Sequence, residues 1–260
     1  ITGLSLSFKK AIIKSLTIPN EEYEKMQRMG FFVKNIPRNH TLYSLIDDNV
    51  IIPYGSKQRL LRFLDNNKVN YQVIDKTCLK PILVAPKSEI TLFDYQVGAV
   101  ESLKDKTNGI LISPTGSGKT TMALSLINEF KQKTLWLTHT KELLNQSKAR
   151  AKSMYNNCIG EITEGKVNIQ DLTFATVQTL NNIDLGQIKD EFGLIIVDEA
   201  HLVSGSVNKV KMFYKVLTNL NAKYRFGVTA TLFEEIPKII IGDVIYEIKR
   251  EEIERINADY

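Results

Sequence analysis

Cysteine, histidine and tryptophan are scarce: 260 residues carry two, three and one of them. Cys78 and Cys158 are isolated, and no ligand spacing links them to the histidines, which argues against a zinc site. Sparse, unpatterned thiols fit a reducing compartment, so a cytoplasmic protein is expected. No apolar run approaches the roughly 20 residues of a membrane-spanning helix. A secretory leader is missing, and the chain starts with Ile1 rather than Met, so its start is expected to be processed, tagged or truncated. Internal repeats and low-complexity tracts are also lacking. A hydrophobic content of 43% is enough for a proper core. A net charge of +5 suits a polyanionic partner without identifying one.

The densest chemistry lies in Ser113-Pro114-Thr115-Gly116-Ser117-Gly118-Lys119-Thr120. Gly109 to Ile112 before it reads as a buried parallel strand, and Lys119 to Phe130 after it as a helix with apolar residues at Met122, Leu124, Leu126, Ile127 and Phe130. Gly116 and Gly118 let successive backbone amides turn inward around phosphates, and the helix N-terminus adds partial positive charge. Thr115, Gly116, Ser117, Gly118, Lys119, Thr120 and Thr121 are therefore the expected phosphate-binding set. In it Lys119 reaches the β- and γ-phosphates and the Thr120 hydroxyl sits on Mg²⁺. Ser113 stands where the usual pattern has glycine, a small-for-small departure.

Leu194-Ile195-Ile196-Val197 then runs into Asp198-Glu199-Ala200-His201. Four apolar residues place Asp198 at the carboxyl end of a buried strand, the edge where open α/β sheets bind ligands. Asp198 is expected to hold Mg²⁺, partly through water, and Glu199 to orient and deprotonate an attacking water.

Asp-Glu-Ala-His at 198–201, in this order after the phosphate loop, resembles the signature of superfamily 2 helicases and translocases. Other runs resemble further motifs of their first RecA-like domain. Phe93-Asp94-Tyr95-Gln96 looks like the adenine-reading element, in which Gln96 pairs with the N6/N7 edge of adenine and favours ATP. The runs 137–143 and 174–180 look like contacts to a nucleic-acid backbone, which implies roles for Thr140, Lys141, Thr176 and Gln178. Gly227-Val228-Thr229-Ala230-Thr231 looks like the coupling motif that links nucleotide state to strand movement, which implies roles for His201, Thr229 and Thr231; Leu232 stands where proline often follows. Each accessory motif also has a plain reading, such as a helix-surface Gln96, Thr140 or Thr176 as helix caps, or strand-end threonines. The resemblance covers about residues 91 to 250, and its wording is closest to the DNA-directed branch that includes XPB and UvsW.

Strands are expected at 109–112, 134–138, 171–175, 194–197 and 224–228, with helices at 141–155 and 207–217 among those between them. Such alternation gives an α/β, RecA-like P-loop fold with a mainly parallel sheet over 91–260. Trp136 is expected in its core. Residues 79–90, with Pro81 and Pro86, read as a linker. Residues 1–78 read as a small α+β accessory unit, with strands at 11–18, 31–34, 41–46, 50–52 and 69–74, helices at 21–29 and 56–66, and a turn at Asp47-Asp48-Asn49. Its basic residues and aromatics, among them Phe31, Phe32, Tyr43 and Tyr54, make either a solvated basic face over core aromatics or a DNA-binding surface with stacking platforms.

The resemblance implies ATP and Mg²⁺ as cofactors, DNA in branched or forked form as partner, and helicase or translocase activity in recombination, replication or repair, including branch migration. A second RecA-like domain supplies catalytic arginines in that family and is not visible here. The chain is expected to be an N-terminal fragment that hydrolyses ATP weakly by itself. The alternatives are a restriction-enzyme motor subunit, an RNA helicase, or a nucleic-acid-binding module with a vestigial nucleotide site.

Overall fold

The computed structural model describes residues 1–82, 90–155, 159–232 and 234–258. Cys158 and most of the expected linker, residues 83–89, lie outside that set, as do 259–260.

The chain opens with α1 (Leu6–Ser15), β1 (Thr17–Pro19), α2 (Glu21–Arg28), β2 (Asn39–Thr41), β3 (Ser44–Ile46), β4 (Asn49–Ile51) and α3 (Lys57–Asn66). The strand expected over 11–18 is a helix for most of its length. Ser5 Oγ caps it by accepting from the Phe8 amide, and Phe8, Ile12 and Leu16 recur every four residues to give one inward face. The expected strand 41–46 splits around Leu42, which is fully buried and whose amide donates to the Leu16 carbonyl. Asp47 and Asp48, both at positive φ, make the two-residue turn of the β3–β4 hairpin. Residues 31–34 and 69–74 form no strands. Phe31, Phe32, Tyr71, Val73 and Ile74 are exposed.

The remainder alternates: α4 (Asp94–Lys104), β5 (Asn108–Ile112), α5 (Lys119–Phe130), β6 (Thr134–Thr138), α6 (Lys141–Tyr155), β7 (Ile159–Thr163), β8 (Lys166–Asn168), β9 (Leu172–Thr176), α7 (Val177–Asn182), β10 (Leu194–Asp198), α8 (Val207–Asn219), β11 (Tyr224–Thr229), α9 (Glu235–Ile240), β12 (Val244–Glu247) and α10 (Arg250–Ala258). Eight strands form one sheet in the order β12-β5-β11-β10-β6-β9-β7-β8, parallel throughout except for the β7–β8 hairpin at its edge. This is the expected α/β class. Alternate residues feed two cores. Ile110, Leu135, Leu137, Ile195 and Val197 lie on one side, and Leu111, Trp136, Phe174, Ile196 and Phe226 on the other.

The N-terminal elements share the first core: Ile12, Leu16, Leu42 and Val50 belong to the same apolar cluster as Ile236, Ile239 and Ile240 of α9. Gly55 touches the backbone of Ile241 and Gly242 so closely that any Cβ would collide with it. Ser56 Oγ donates to the Ile239 carbonyl at 3.0 Å, and Arg59 Nε donates to Asp243 Oδ1 at 2.9 Å. Beside this seam Arg225 is buried, with no carboxylate partner among the described residues. Its guanidinium donates to the carbonyls of Leu217, Leu220 and Ala222 at the end of α8 and lies 4.5 Å from the centre of the Tyr54 ring. Burial pulls its pKa down to about 10.

Candidate functional site

The carboxyl ends of the parallel strands share one edge of the sheet, and nearly every singled-out residue lies along it. β5 leads into the glycine loop, where Gly116 and Gly118 adopt φ of +84° and +82°. That left-handed region disfavours side chains. Gly118 also caps α5 and lies against the Gln96 amide so closely that a Cβ there would overlap Nε2. Gly116 faces open space.

A cavity of about 350 Å³ opens beside the loop. It is lined by Gly116, Gly118, Lys119 and Thr120 on one side and by Asp198 and Glu199 on the other. Leu143, Gln146, Ser147 and Arg150 of α6 complete the wall. A glycine-formed cradle at a helix N-terminus, a lysine, a hydroxyl and two carboxylates are the donor set that a magnesium-bound triphosphate needs.

Asp198 is buried and held from several directions. The Ser147 hydroxyl donates to Oδ2 at 2.7 Å, Trp136 Nε1 donates to the same oxygen at 3.2 Å, and the Glu199 amide donates to Oδ1 at 3.0 Å. Such supports fix a ligand's orientation before any ion arrives. Trp136 is thus a core residue, as expected, that also reaches the site. Glu199 sits at φ +51° and ψ 57°, a left-handed conformation that costs a non-glycine residue about 1–2 kcal/mol. The strain falls on the residue whose carboxylate lines the cavity.

From Glu199 a polar chain runs across the strand ends. Its Oε2 lies 3.4 Å from His201 Nδ1, which is 2.9 Å from Thr229 Oγ1; that hydroxyl donates to the Thr231 carbonyl at 2.9 Å. Because the Thr229 proton is spent on Thr231, Thr229 can only accept from the ring, so His201 Nδ1 carries a proton.

The other singled-out residues stand apart from the cavity. Gln96 is buried: its Nε2 donates to the Ser117 carbonyl at 2.7 Å and its Oε1 accepts from the Phe93 amide at 3.0 Å, so both ends of the amide hold protein backbone. Tyr95 OH donates to the same Ser117 carbonyl at 3.0 Å. Ser117 itself is buried and bonded to Ser113 Oγ. That contact gives the serine in the usual glycine position a structural use. Thr115 lines a separate cavity of about 330 Å³ with Pro114, Arg250, Ile253 and Glu254. Thr121 follows in the first turn of α5.

Thr140, Lys141, Thr176 and Gln178 lie at the ends of β6 and β9, two neighbouring strands. Thr140 and Lys141 are exposed. Thr140 Oγ1 accepts from the Leu143 amide at 3.3 Å, and Thr176 turns inward to cap α7 by accepting from the Thr179 amide. Gln178 Nε2 donates to His139 Nδ1 at 3.0 Å, which puts the His139 proton on Nε2. Burial, with Lys209 nearby, holds the His139 pKa below its usual value. Among the described residues no cluster of three or more His, Cys, Asp or Glu could hold a metal.

Residue reading missed Ser147, Gln146, Arg150 and Tyr95. Ser147 carried a signal: it falls three residues after buried Leu144, on the inward face of α6.

A glycine phosphate loop and an Asp-Glu strand end on one edge of a parallel sheet define a P-loop domain, the first RecA-like domain of a superfamily 2 helicase. The family model described as "Type III restriction enzyme, res subunit" matches residues 89–234, more than half of the chain, and the chain belongs to that family. It is 30% identical over 173 residues to the DNA 3'-5' translocase XPB2 of Sulfurisphaera tokodaii, covering 64% of this chain and 38% of that protein. It is 29% identical over 174 residues to a probable helicase of Escherichia phage T5, covering 66% and 37%. The chain therefore spans well under half the length of these curated relatives. The fold is similar to the crystal structure of the UvsW helicase from bacteriophage T4, with a TM-score of 0.67, 18% identity and 94% of both chains covered.

Proposed function

We propose that this chain is the ATP-binding half of a DNA helicase or translocase that works on branched DNA in recombination, replication or repair. The observation that carries the reading is the single cavity shared by Lys119, Thr120, Asp198 and Glu199. In it the loop amides and Lys119 bind the β- and γ-phosphates, and Thr120 and Asp198 hold Mg²⁺. Glu199 orients and deprotonates the attacking water. The ion supplies charge neutralisation on the phosphates when bound. His201, Thr229 and Thr231 carry the state of Glu199 to the end of β11, and Thr140, Lys141 and Gln178 face the nucleic-acid backbone, with buried Thr176 positioning that edge by capping α7. Gln96 clamps Ser117 and reads adenine only if nucleotide binding releases it from that bond. The names of the relatives, a DNA translocase and a phage helicase, support DNA as the substrate.

Residues 1–78 are read as the accessory unit, 79–90 as the linker and 91–260 as the motor domain. Relatives more than twice the matched length support a second RecA-like domain beyond the chain, which would contribute arginines to the same nucleotide. The expected setting is a reducing cytoplasm, that of the host for a phage protein.

The test is ATP turnover by the chain with no nucleic acid, linear duplex, forked DNA and forked RNA. Weak turnover stimulated most by forked DNA supports the reading, whereas preference for RNA or indifference to every nucleic acid contradicts it. The description of the family favours a second reading, a restriction-enzyme motor. Equal stimulation by linear and forked duplex would select it.

A further inference from the structure

The N-terminal unit carries a feature that the nucleotide site does not use. Between α2 and β2 the chain forms a loop, residues 29–38, with two consecutive aromatics in solvent: Phe31 is 53% and Phe32 82% exposed. Single exposed apolar residues are ordinary on protein surfaces, but this pair is held out deliberately. Gly30, at φ +74°, ends α2 with its amide donating to the Gln27 carbonyl, and the Phe31 amide donates to the Met26 carbonyl at 3.0 Å. That double bond is the Schellman arrangement, which fixes the direction of the chain after a helix. At its far end the loop is tied to Asn20, whose Nδ2 donates to the Pro37 carbonyl at 2.8 Å and whose amide donates to the Arg38 carbonyl at 2.9 Å. A turn bond from the Ile36 amide to the Val33 carbonyl braces the middle. Phe32, directly after the helix stop, stands exposed in a loop anchored on both sides.

The surroundings are cationic. Exposed Lys25, Arg28, Lys34 and Arg38 flank the aromatics, and no acidic residue occurs between 25 and 38; the glutamates of α2 sit in its first turn, at the opposite end. Arg38 is steadied by donating Nε to the Tyr23 hydroxyl at 3.0 Å. Exposed aromatics flanked along the chain by exposed basic residues complement one chemistry well: a polyanion that also offers flat, unpaired π-faces.

We propose that this loop is a wedge that seats at a single-strand–duplex junction of DNA, with Phe32 stacked on the first unpaired base and the basic residues on the flanking phosphates. The proposal rests on the reading of the chain as part of a DNA motor and assigns its preference for branched substrates to a named side chain. The preorganised loop loses little freedom on binding, and stacking on a base is indifferent to sequence, as a motor requires.

The test uses the 260-residue chain without nucleotide, titrated with a forked DNA carrying 2-aminopurine as the first unpaired base and with a blunt duplex of equal length. Wild type is expected to prefer the fork and to change the 2-aminopurine fluorescence. Phe32→Ala should reduce fork affinity about tenfold, within the range of one lost base stack, and abolish the fluorescence change while leaving duplex affinity unaltered. Phe32→Trp should restore both. If Phe32→Ala keeps its fork preference and its signal, the wedge is wrong and the motor reading stands. If the wild-type chain binds neither DNA, both fall. Phe32 is exposed, so the variants fold.

Discussion

The two halves of the chain solve the same problem with different means. From residue 108 onward, strands run straight through the interior: all five residues of β5, β6, β9 and β10 are buried. In the first 78 residues no strand exceeds three residues, and burial comes mostly from isolated side chains such as Leu42 and Val50 that join the apolar cluster of the main sheet. One region has its own core and the other borrows it. The self-sufficient region holds the rigid edge on which a nucleotide site depends. The borrowing region is free to carry exposed loops.

The largest effect should separate the two carboxylates of the rigid edge. Glu199→Gln is expected to keep ATP affinity and lower turnover by about 10²–10⁴-fold, the usual worth of a positioned general base. Single-turnover hydrolysis with parallel binding measurements would check this. Equal losses for binding and turnover would assign Glu199 to ground-state contacts instead.

Next comes the borrowed core. Leu42→Ala removes a fully buried side chain at the seam and should cost about 2–5 kcal/mol. Because the seam is continuous with the main core, chemical denaturation should remain one transition with a lower midpoint. An early, separate melting of the N-terminal region would show that it stands alone and break the comparison.

A smaller change tests how the rigid edge is supported. Ser147→Ala deletes the shortest bond to Asp198 while leaving Lys119, Thr120 and both carboxylates in place. It is expected to weaken Mg²⁺-dependent nucleotide binding by about tenfold, as loss of ligand-orienting partners does elsewhere, with little change in Mg²⁺-independent binding.

The smallest effect is on pH dependence. His40, buried in the N-terminal region, and His139, just after β6, both have pKa values lowered chiefly by burial; Glu22 and Glu234 oppose this for His40, while Lys209 adds to it for His139. The unfolded chain therefore takes up protons more readily than the folded one. Stability should decline as pH falls through about 6.5, the ordinary histidine value, and level off below the folded-state values. Thermal midpoints across that range should show the decline, and His40→Gln should flatten it.

The same contrast explains what could be read from residues alone. Continuous apolar runs such as 194–197 have no other stable place than the middle of a parallel sheet, so β5, β6, β9, β10 and β11 and the flanking α5 and α6 were legible to within a residue or two. The chemistry of the loop and of Asp198-Glu199 was legible because a phosphate cradle needs glycines and a lysine in fixed order. In the N-terminal unit, Ala11–Ile18 is apolar enough for a strand, and only the inward face formed by Phe8, Ile12 and Leu16 makes it a helix. Residues 69–74 have strand composition but leave Tyr71, Val73 and Ile74 exposed and form no strand. β12 escaped notice because its apolar run, Val244-Ile245-Tyr246, is only three residues long and half-buried, at the margin where it adds to β5 just before a charged helix. Ser147 and Trp136 became site residues only when folding brought α6 and β6 against Asp198.

The account stands on the cavity between Lys119 and Asp198. Its most direct test is equilibrium binding of ATP with and without Mg²⁺ to the wild-type chain and to Lys119→Ala. Magnesium-dependent binding by the wild type that falls tenfold or more in the variant is the expected result. Undiminished binding by Lys119→Ala, or no binding by either protein, would contradict the nucleotide site and the motor built on it.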